Sequence, residues 1–400
     1  MKKVLILGGG YAGIYALKEL IKQKDIQITL VDKHTYHNLQ PQVYDFIANK
    51  ADMADVTIDL ETLCAGFDHP NLQFLNKRIV QCNFQNNEVV CSDGESLAYD
   101  QILLAMGSRT YFPSVVQGLN NTDDIKKLHR ALYFKQRFEE DMFQKIAHKI
   151  KSCEDSHIVI VGAGLSGVEI ATEMAHFSAK FFKHGQFACD NMTITLVSGS
   201  QQILPGVSKK LKDTATKRIE QLGINLICNE HMQSCDEEFI TLSSGKKCRY
   251  SFIIFAGGIE AANLTTTFDV EKNAKGQIVV DPYLKVAPYD NVFAAGDVAV
   301  IKDKNSQQMP PNVTIARHSA KTAAKNILAQ INSNSLSVCD PMIEGTLLAL
   351  GGRYGACNLY DKINVSGPLG YLIKQYVFYR YKLPLQKISQ RGYKRLQRCK

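Results

Sequence analysis

At 400 residues the chain is too long for one ordinary domain and fits two or three. Hydrophobic residues at 45% and charged residues at 22% exclude a disordered or fibrous polypeptide. The formal net charge of +8 is not spread evenly. Residues 339–400 hold eleven Lys/Arg against three Asp/Glu, while residues 1–338 carry 36 of each sign. A basic excess confined to the tail points to an anionic surface, membrane or nucleic acid, and no nucleic-acid recognition motif accompanies it.

The opening run Val4-Leu5-Ile6-Leu7 breaks at Gly8-Gly9-Gly10, short of the roughly 7–15 apolar residues of a secretory signal core. No stretch reaches the roughly 18 apolar residues of a spanning helix. The eleven cysteines include no CxxC pair, which fits free buried thiols in a reducing compartment. The expected location is cytoplasmic.

In chain order, a strand Val4–Leu7 leads through glycines into a helical pattern (Leu17, Leu20, Ile21). A strand Ile26–Val31 follows and ends at Asp32. Shorter strands are expected at Glu88–Cys91 and at Gln101–Ala105, which runs into Met106-Gly107. A charged helical stretch from Asp124 to Lys151 bridges to a second copy of the opening pattern. That copy comprises strand Ile158–Val161, glycines, a helix through Ile170 and Met174, and strand Thr193–Val197. Two βαβ units of this kind predict parallel, doubly wound sheets. After Gly258 the chain returns through Ile278–Val280 and Val292-Phe293-Ala294 to Gly296-Asp297, and from Pro341 it turns aromatic and basic.

Gly8-x-Gly10-x-x-Gly13 sits between strand and helix, with Asp32 closing the next strand. Gly8 permits the tight turn, Gly10 lets a pyrophosphate reach the backbone, and Gly13 lets helix and strand pack. The helix N-terminus offers free N–H groups to phosphate, and Asp32 can accept from a ribose. Gly162, Gly164 and Gly167 repeat the pattern, but Ser198 stands where the acid would be. The second copy is either a second dinucleotide site, which implies a redox couple, or a degenerate copy kept for packing. The fold expected is α/β, with two Rossmann-type dinucleotide-binding domains plus a C-terminal amphipathic, membrane-associated helical segment. Residues 1–112 and the return 281–338 form the first domain, 113–280 the second, and 339–400 the membrane-interface segment.

Phe293-Ala294-Ala295-Gly296-Asp297 resembles the late flavin motif of the pyridine nucleotide-disulfide oxidoreductase superfamily. Within it the chain most resembles the type II NADH dehydrogenases, which pass electrons from NADH to quinone without pumping protons. The likeness runs to about residue 383. It includes His37-Asn38-Leu39-Gln40-Pro41, Ala105-Met106-Gly107-Ser108, Gly167-Val168-Glu169, Leu204-Pro205-Gly206, Ala256-Gly257-Gly258, Pro310-Pro311 and Ser366-Gly367-Pro368-Leu369-Gly370-Tyr371.

The resemblance implies non-covalent FAD held by Gly8, Gly10, Gly13, Asp32, Ala105, Gly107, Gly296 and Asp297. It implies NADH over Gly162, Gly164, Gly167, Ser198 and Gly258. It makes Glu169 a carboxylate near the contact of the two rings, although an acid in a first helical turn is also favoured by the helix dipole. Gln40, Thr314, His318 and Lys374 are the residues it implies for the quinone channel. Three departures stand out: Ser198 replaces an acid, Thr314 and His318 replace two glutamines, and the tail is short and basic. Sulfide:quinone oxidoreduction is an alternative that Cys339 and Cys357 would serve; a flavin-bearing redox sensor is another.

Leu369, Leu372, Ile373, Tyr376 and Val377 fall at i, i+3, i+4, i+7 and i+8, and tyrosines with Arg380 and Lys382 are interfacial types. The tail is expected on the cytoplasmic face of the cell membrane as a peripheral helix. The other reading is a helix packed on its own domain or on a second copy in a homodimer.

Overall fold

The computed structural model describes residues 1–147, 156–185 and 192–398. Cys153, Cys189, Cys399 and the end of the helix expected to Lys151 lie outside the described residues.

The unbroken apolar runs of the sequence become parallel strands covered on both faces, as such runs require. One sheet has five strands in the order Val292–Ala294, Gln101–Leu104, Lys2–Leu7, Ile26–Asp32 and Leu72–Asn76, all parallel. Helix Tyr11–Leu20 packs on the helix Val313–Ile331. The latter buries Ala316, Ala320, Ala323 and Ala324, small residues that allow close approach. The second sheet has four parallel strands in the order Asn225–Ile227, Thr193–Val197, His157–Val161 and Phe252–Phe255. Helices Leu128–Ala147, Leu165–Gly185 and Lys209–Gln221 belong to this lobe, and Phe134 and Phe138 of the first of them lie parallel to each other and edge-on to Phe252 of the sheet.

The bridging helix begins at Leu128, four residues later than the charge pattern implied. Asp124 is spent before the helix: its Oδ1 accepts from the Thr110 hydroxyl at 2.6 Å and from the Lys126 amide at 3.2 Å, a local turn that competes with helix. The crossover back to the first lobe runs through Ile259–Ala261, antiparallel to Ser108–Thr110. By packing, Ala261, Phe268 and Ile278 side with the first core, ahead of the boundary placed at 280. Conversely Val43, Phe46 and Ile47, early in the chain, fill the second core.

The tail is not helix alone. Gly345–Ala349, Gly355–Leu359 and Ile363–Gly367 form an antiparallel sheet before the helix Pro368–Arg398. One edge of this helix rests on the helix Leu60–Gly66. A Cβ added at Gly392 would meet the Thr62 carbonyl oxygen at 1.8 Å, and one at Gly66 would meet that of Ile388 at 1.9 Å. Glycine is required at both positions for the backbones to touch. On the opposite edge Leu369, Leu372, Tyr376, Val377, Tyr379 and Leu383 are 45–65% exposed. No helix among the described residues is long and apolar enough to cross a membrane.

Candidate active site

The two glycine loops have the same construction. Gly8 (φ +112°) would drive a Cβ to 2.4 Å from the Ala105 carbonyl oxygen, and Gly13 would drive one to 1.8 Å from that of Gly8. In the second loop Gly162 (φ +111°) meets Ala256 at 2.4 Å and Gly167 meets Gly162 at 1.8 Å. Gly10 and Gly164 each face open space at the N-terminus of a helix. Packing therefore accounts for four of the glycines, while the two open ones leave room for a phosphate to approach the backbone. Gly107 (φ +69°) and Gly258 (φ +134°) are likewise open at the strand ends facing these loops.

Asp32 accepts from the Gly9 amide at 2.6 Å and from the His34 amide at 2.8 Å. Ser198 occupies the matching place in the second lobe, because Gly8 N–H donates to Val31 and Gly162 N–H to Val197, both at 2.8 Å. Ser198 is buried, and its Oγ accepts from the Ser200 amide at 3.3 Å. It keeps the turn that Asp32 makes with His34 but brings no charge to it.

Across the first lobe from Asp32, the Gly296 amide donates to Ser319 Oγ at 3.1 Å. The Ser108 hydroxyl donates to Asp297 Oδ2 at 2.7 Å. Lys126 Nζ donates to Ser108 Oγ at 2.8 Å and stands 3.9 Å from Asp297; burial pulls its pKa below the usual lysine value. Ala105 is buried under the loop. Asn38 Oδ1 and Gln42 Nε2, buried in the segment that follows Asp32, lack a partner within the protein. Such polar atoms fit contact with a bound ligand better than with a sealed core.

The helix of the second loop carries two buried carboxylates one turn apart. Glu169 pairs with Lys374 of the last helix, and its Oε1 also accepts from the Ala349 amide at 2.8 Å. Glu173 lies 2.9 Å from Lys50 and accepts from the Gly352 amide at 3.2 Å; Lys50 lies 2.9 Å from Asp45 as well. Burial pushes the Glu173 carboxyl up against the pull of Lys50. The pair of carboxylates fastens the nucleotide-loop helix to the tail sheet. Beside them Tyr44 donates to Ser166 Oγ at 2.7 Å and also hydrogen-bonds Gln40; burial and the nearby Glu169 push its phenol up to about 12.

Of the residues expected at the channel, Lys374 thus pairs with Glu169, and Gln40 bonds Tyr44 beside it. Lys374 is a buried ion-pair partner, not a lysine reaching for solvent. Thr314 lies in the first turn of helix Val313–Ile331, behind the Asn312 cap. His318, on the same helix, turns instead to the tail, with Nε2 3.3 Å from Glu344 Oε1. The Arg317 guanidinium binds that oxygen at 2.5 Å and holds the Glu344 carboxyl below the usual range. Sequence reasoning missed Tyr44, Lys50 and Glu344. The spacing of Glu169 and Glu173 by four residues was the available sign of a shared helix face.

Burial pushes the thiols of Cys339 and Cys357 up to about 11, and Cys357 donates to the Gly370 carbonyl at 3.2 Å. Neither is poised as a thiolate nucleophile. No group of three metal-ligating side chains occurs among the described residues.

Residues 2–320 match the model of the family described as pyridine nucleotide-disulphide oxidoreductase. The chain is 26% identical over 397 residues to the type II NADH:quinone oxidoreductase of Haemophilus influenzae, covering 90% of this chain and 88% of that one. In fold it superposes on NDH2 from Plasmodium falciparum in complex with NADH, with TM-score 0.84, 18% identity and coverage of 98% and 97%. It also superposes on the sulfide:quinone oxidoreductase of Aquifex aeolicus, with TM-score 0.80, 18% identity and coverage of 98% and 92%. Two like-built glycine loops, the facing strand ends and a match over four-fifths of the length agree: the chain belongs to the pyridine nucleotide-disulphide oxidoreductase family.

Proposed function

We propose that the protein oxidises NADH with FAD as its carrier and passes the electrons to a membrane quinone, without pumping protons. The observation that carries this reading is the duplicated loop geometry, with open helix N-termini at Gly10 and Gly164. Full-length similarity to type II NADH:quinone oxidoreductases supports it.

Gly8, Gly10 and Gly13 would hold the FAD pyrophosphate, Asp32 its ribose, and Asp297, with Ala105, Gly107 and Gly296, its flavin end. FAD, when bound, supplies a two-electron carrier that can be reduced by one substrate and reoxidised by another. Gly162, Gly164, Gly167 and Gly258 would seat the nicotinamide nucleotide, with Ser198 at its ribose. The protein's contribution is alignment of the two rings and exclusion of water. Lys374 and the Ala349 amide fix the Glu169 carboxylate, which is placed to hold or pass a proton at the junction of loop helix and tail. Gln40 lines the same junction, while Thr314 and His318 line the side that Glu344 closes.

The exposed strip Leu369–Leu383 and the basic residues around it would rest on an anionic leaflet at the cytoplasmic face, the apolar side chains in the headgroup layer. Arg380, Lys387, Arg391 and Lys394 are exposed on this helix, a composition that favours a lipid surface over the second copy of a homodimer or nucleic acid. Sulfide as donor is disfavoured by the buried, high-pKa Cys339 and Cys357.

The test is anaerobic bleaching of the flavin by NADH, NADPH and sulfide in turn, followed by reoxidation with a short-chain quinone. NADH should bleach and the quinone restore the colour within a turnover. Bleaching by sulfide alone, or bleaching by NADH with no reoxidation by any quinone, would overturn the reading; the latter would favour a redox sensor.

A further inference from the structure

His37 has no solvent exposure, and its ring lies between two partners. Nδ1 is 2.9 Å from the Gly9 carbonyl oxygen, and Nε2 is 2.9 Å from the hydroxyl of Tyr381 on the last helix. A carbonyl only accepts, so Nδ1 carries the proton and Nε2 presents a lone pair. The Tyr381 hydroxyl donates to that lone pair, and one tautomer satisfies every group. Gly9 stands between Gly8 and Gly10, and its amide donates to Asp32 at 2.6 Å. The residue at the tip of the loop is therefore fixed from both sides, its N–H by Asp32 and its C=O by His37. Tyr11, which opens the following helix, packs edge-on to His37 at 4.9 Å and against Tyr381 at 5.0 Å; Tyr15 lies 5.2 Å from Tyr381.

The second loop is held differently. There the matching residue is Ala163, whose carbonyl accepts from the Leu204 backbone amide at 2.8 Å. That link stays inside its own lobe. The second lobe meets the tail helix further along, through Glu169 and Lys374, whereas in the first lobe the loop tip itself is wired to it, at the inner face of the helix whose outer face carries Leu372, Tyr376 and Leu383.

We propose that Tyr381, acting through His37, is a positioning residue that couples the seating of the C-terminal helix to the grip of the first glycine loop on FAD. The inference rests on the reading that this loop holds FAD. Removing the Tyr381 hydroxyl leaves a buried Nε2 without a donor, and the ring relieves this by turning, which takes the donor from Gly9. Coupling is reciprocal: whatever factor the seated helix adds to FAD affinity, FAD adds to the seating of the helix.

The test compares Tyr381→Phe, Tyr379→Phe and Gly10→Val in the full chain, each stripped of flavin and titrated with FAD by quenching of flavin fluorescence. Tyr381→Phe should weaken FAD binding about tenfold, equivalent to about 1.4 kcal/mol, while the outward-facing Tyr379→Phe binds like wild type. Binding of NAD⁺ to FAD-saturated protein should be the same in both. In wild type, FAD should slow amide exchange around residues 378–385 by a similar factor, and in Tyr381→Phe that protection should vanish. If Tyr381→Phe binds FAD like wild type while Gly10→Val does not, the coupling is wrong and the FAD site stands. If Gly10→Val retains full FAD affinity, the placement of FAD itself is wrong. If Tyr381→Phe weakens FAD and NAD⁺ alike, or keeps the FAD-dependent exchange protection, the residue is a general packing element and the proposal fails.

Discussion

His37 makes folding acid-sensitive in a way that can be isolated. Burial lowers its pKa from 6.5 to about 4, against the smaller opposing effect of the bond to Gly9. The groups facing the ring are the Gly9 carbonyl, the Tyr381 hydroxyl and the Tyr11 ring, none of which is a carboxylate that would stabilise the imidazolium. Between those two pH values the unfolded chain binds a proton that the folded chain does not, so stability rises with pH across the window. The contribution of the neutral ring is fully present above about pH 6.5 and is lost as pH falls towards 4. At about 1.4 kcal/mol per pH unit it amounts to roughly 3 kcal/mol. The perturbation is His37→Gln, which cannot titrate, and the assay is urea unfolding followed by circular dichroism at pH 7.5, 6.0, 5.0 and 4.5. The variant should start less stable than wild type and converge with it as pH falls, because other acid-sensitive groups cancel in the difference. Parallel loss of stability in both proteins from pH 7.5 to 4.5 would refute the assignment of a neutral, buried His37.

Lys374→Met should destabilise the chain by about 3–5 kcal/mol, since it strands a buried carboxylate; Lys374→Met with Glu169→Gln should recover most of that in thermal melts. Ser198→Glu should raise the ratio of catalytic efficiencies for NADH over NADPH, because the position carries no repulsive charge against a 2′-phosphate; an unchanged ratio would place Ser198 away from the ribose. Leu372→Glu combined with Tyr376→Glu should abolish pelleting with anionic liposomes while leaving flavin content intact, as both side chains face outward.

Much of the fold was legible because its signals are local. The strand–glycine–helix units at Gly8 and Gly162 each lie within one stretch of chain, 2–32 and 157–197, and the turn that makes Ser198 the counterpart of Asp32 directly follows the second. The site was less legible because its contacts are long-range. Glu169 and Lys374 are 205 positions apart, and His37 and Tyr381 are 344 apart. No period or spacing joins such pairs; only the docking of the tail on both lobes does. The tail sheet escaped notice because its strands are short and glycine-bounded, and apolar residues such as Leu347-Leu348-Ala349 do not alternate cleanly. The crossover was placed late because Ile259–Ala261 is a three-residue ribbon with no apolar run of its own.

Charge counting over the tail also hid a division of labour. Lys374 and Lys382 are buried in ion pairs with Glu169 and Asp55, and Arg395 donates to the carbonyls of Ala65 and Phe67. These three fasten the helix to the protein and leave less of the basic excess for a leaflet. Each remaining exposed base near an anionic surface is worth about 1 kcal/mol at low salt, and screening shortens that reach to about 8 Å at physiological ionic strength. The apolar strip from Leu369 to Leu383 is indifferent to salt. Attachment should therefore weaken with salt without disappearing. A helix that meets the membrane with one face cannot move freely there, because its other face holds Gly66, Asp55 and His37. Deleting the tail after Asp361 would take Leu385 out of the first core and strip the partner from His37, so loss of flavin in such a truncation would say nothing about the membrane. Outward-facing substitutions separate the two roles that one helix combines.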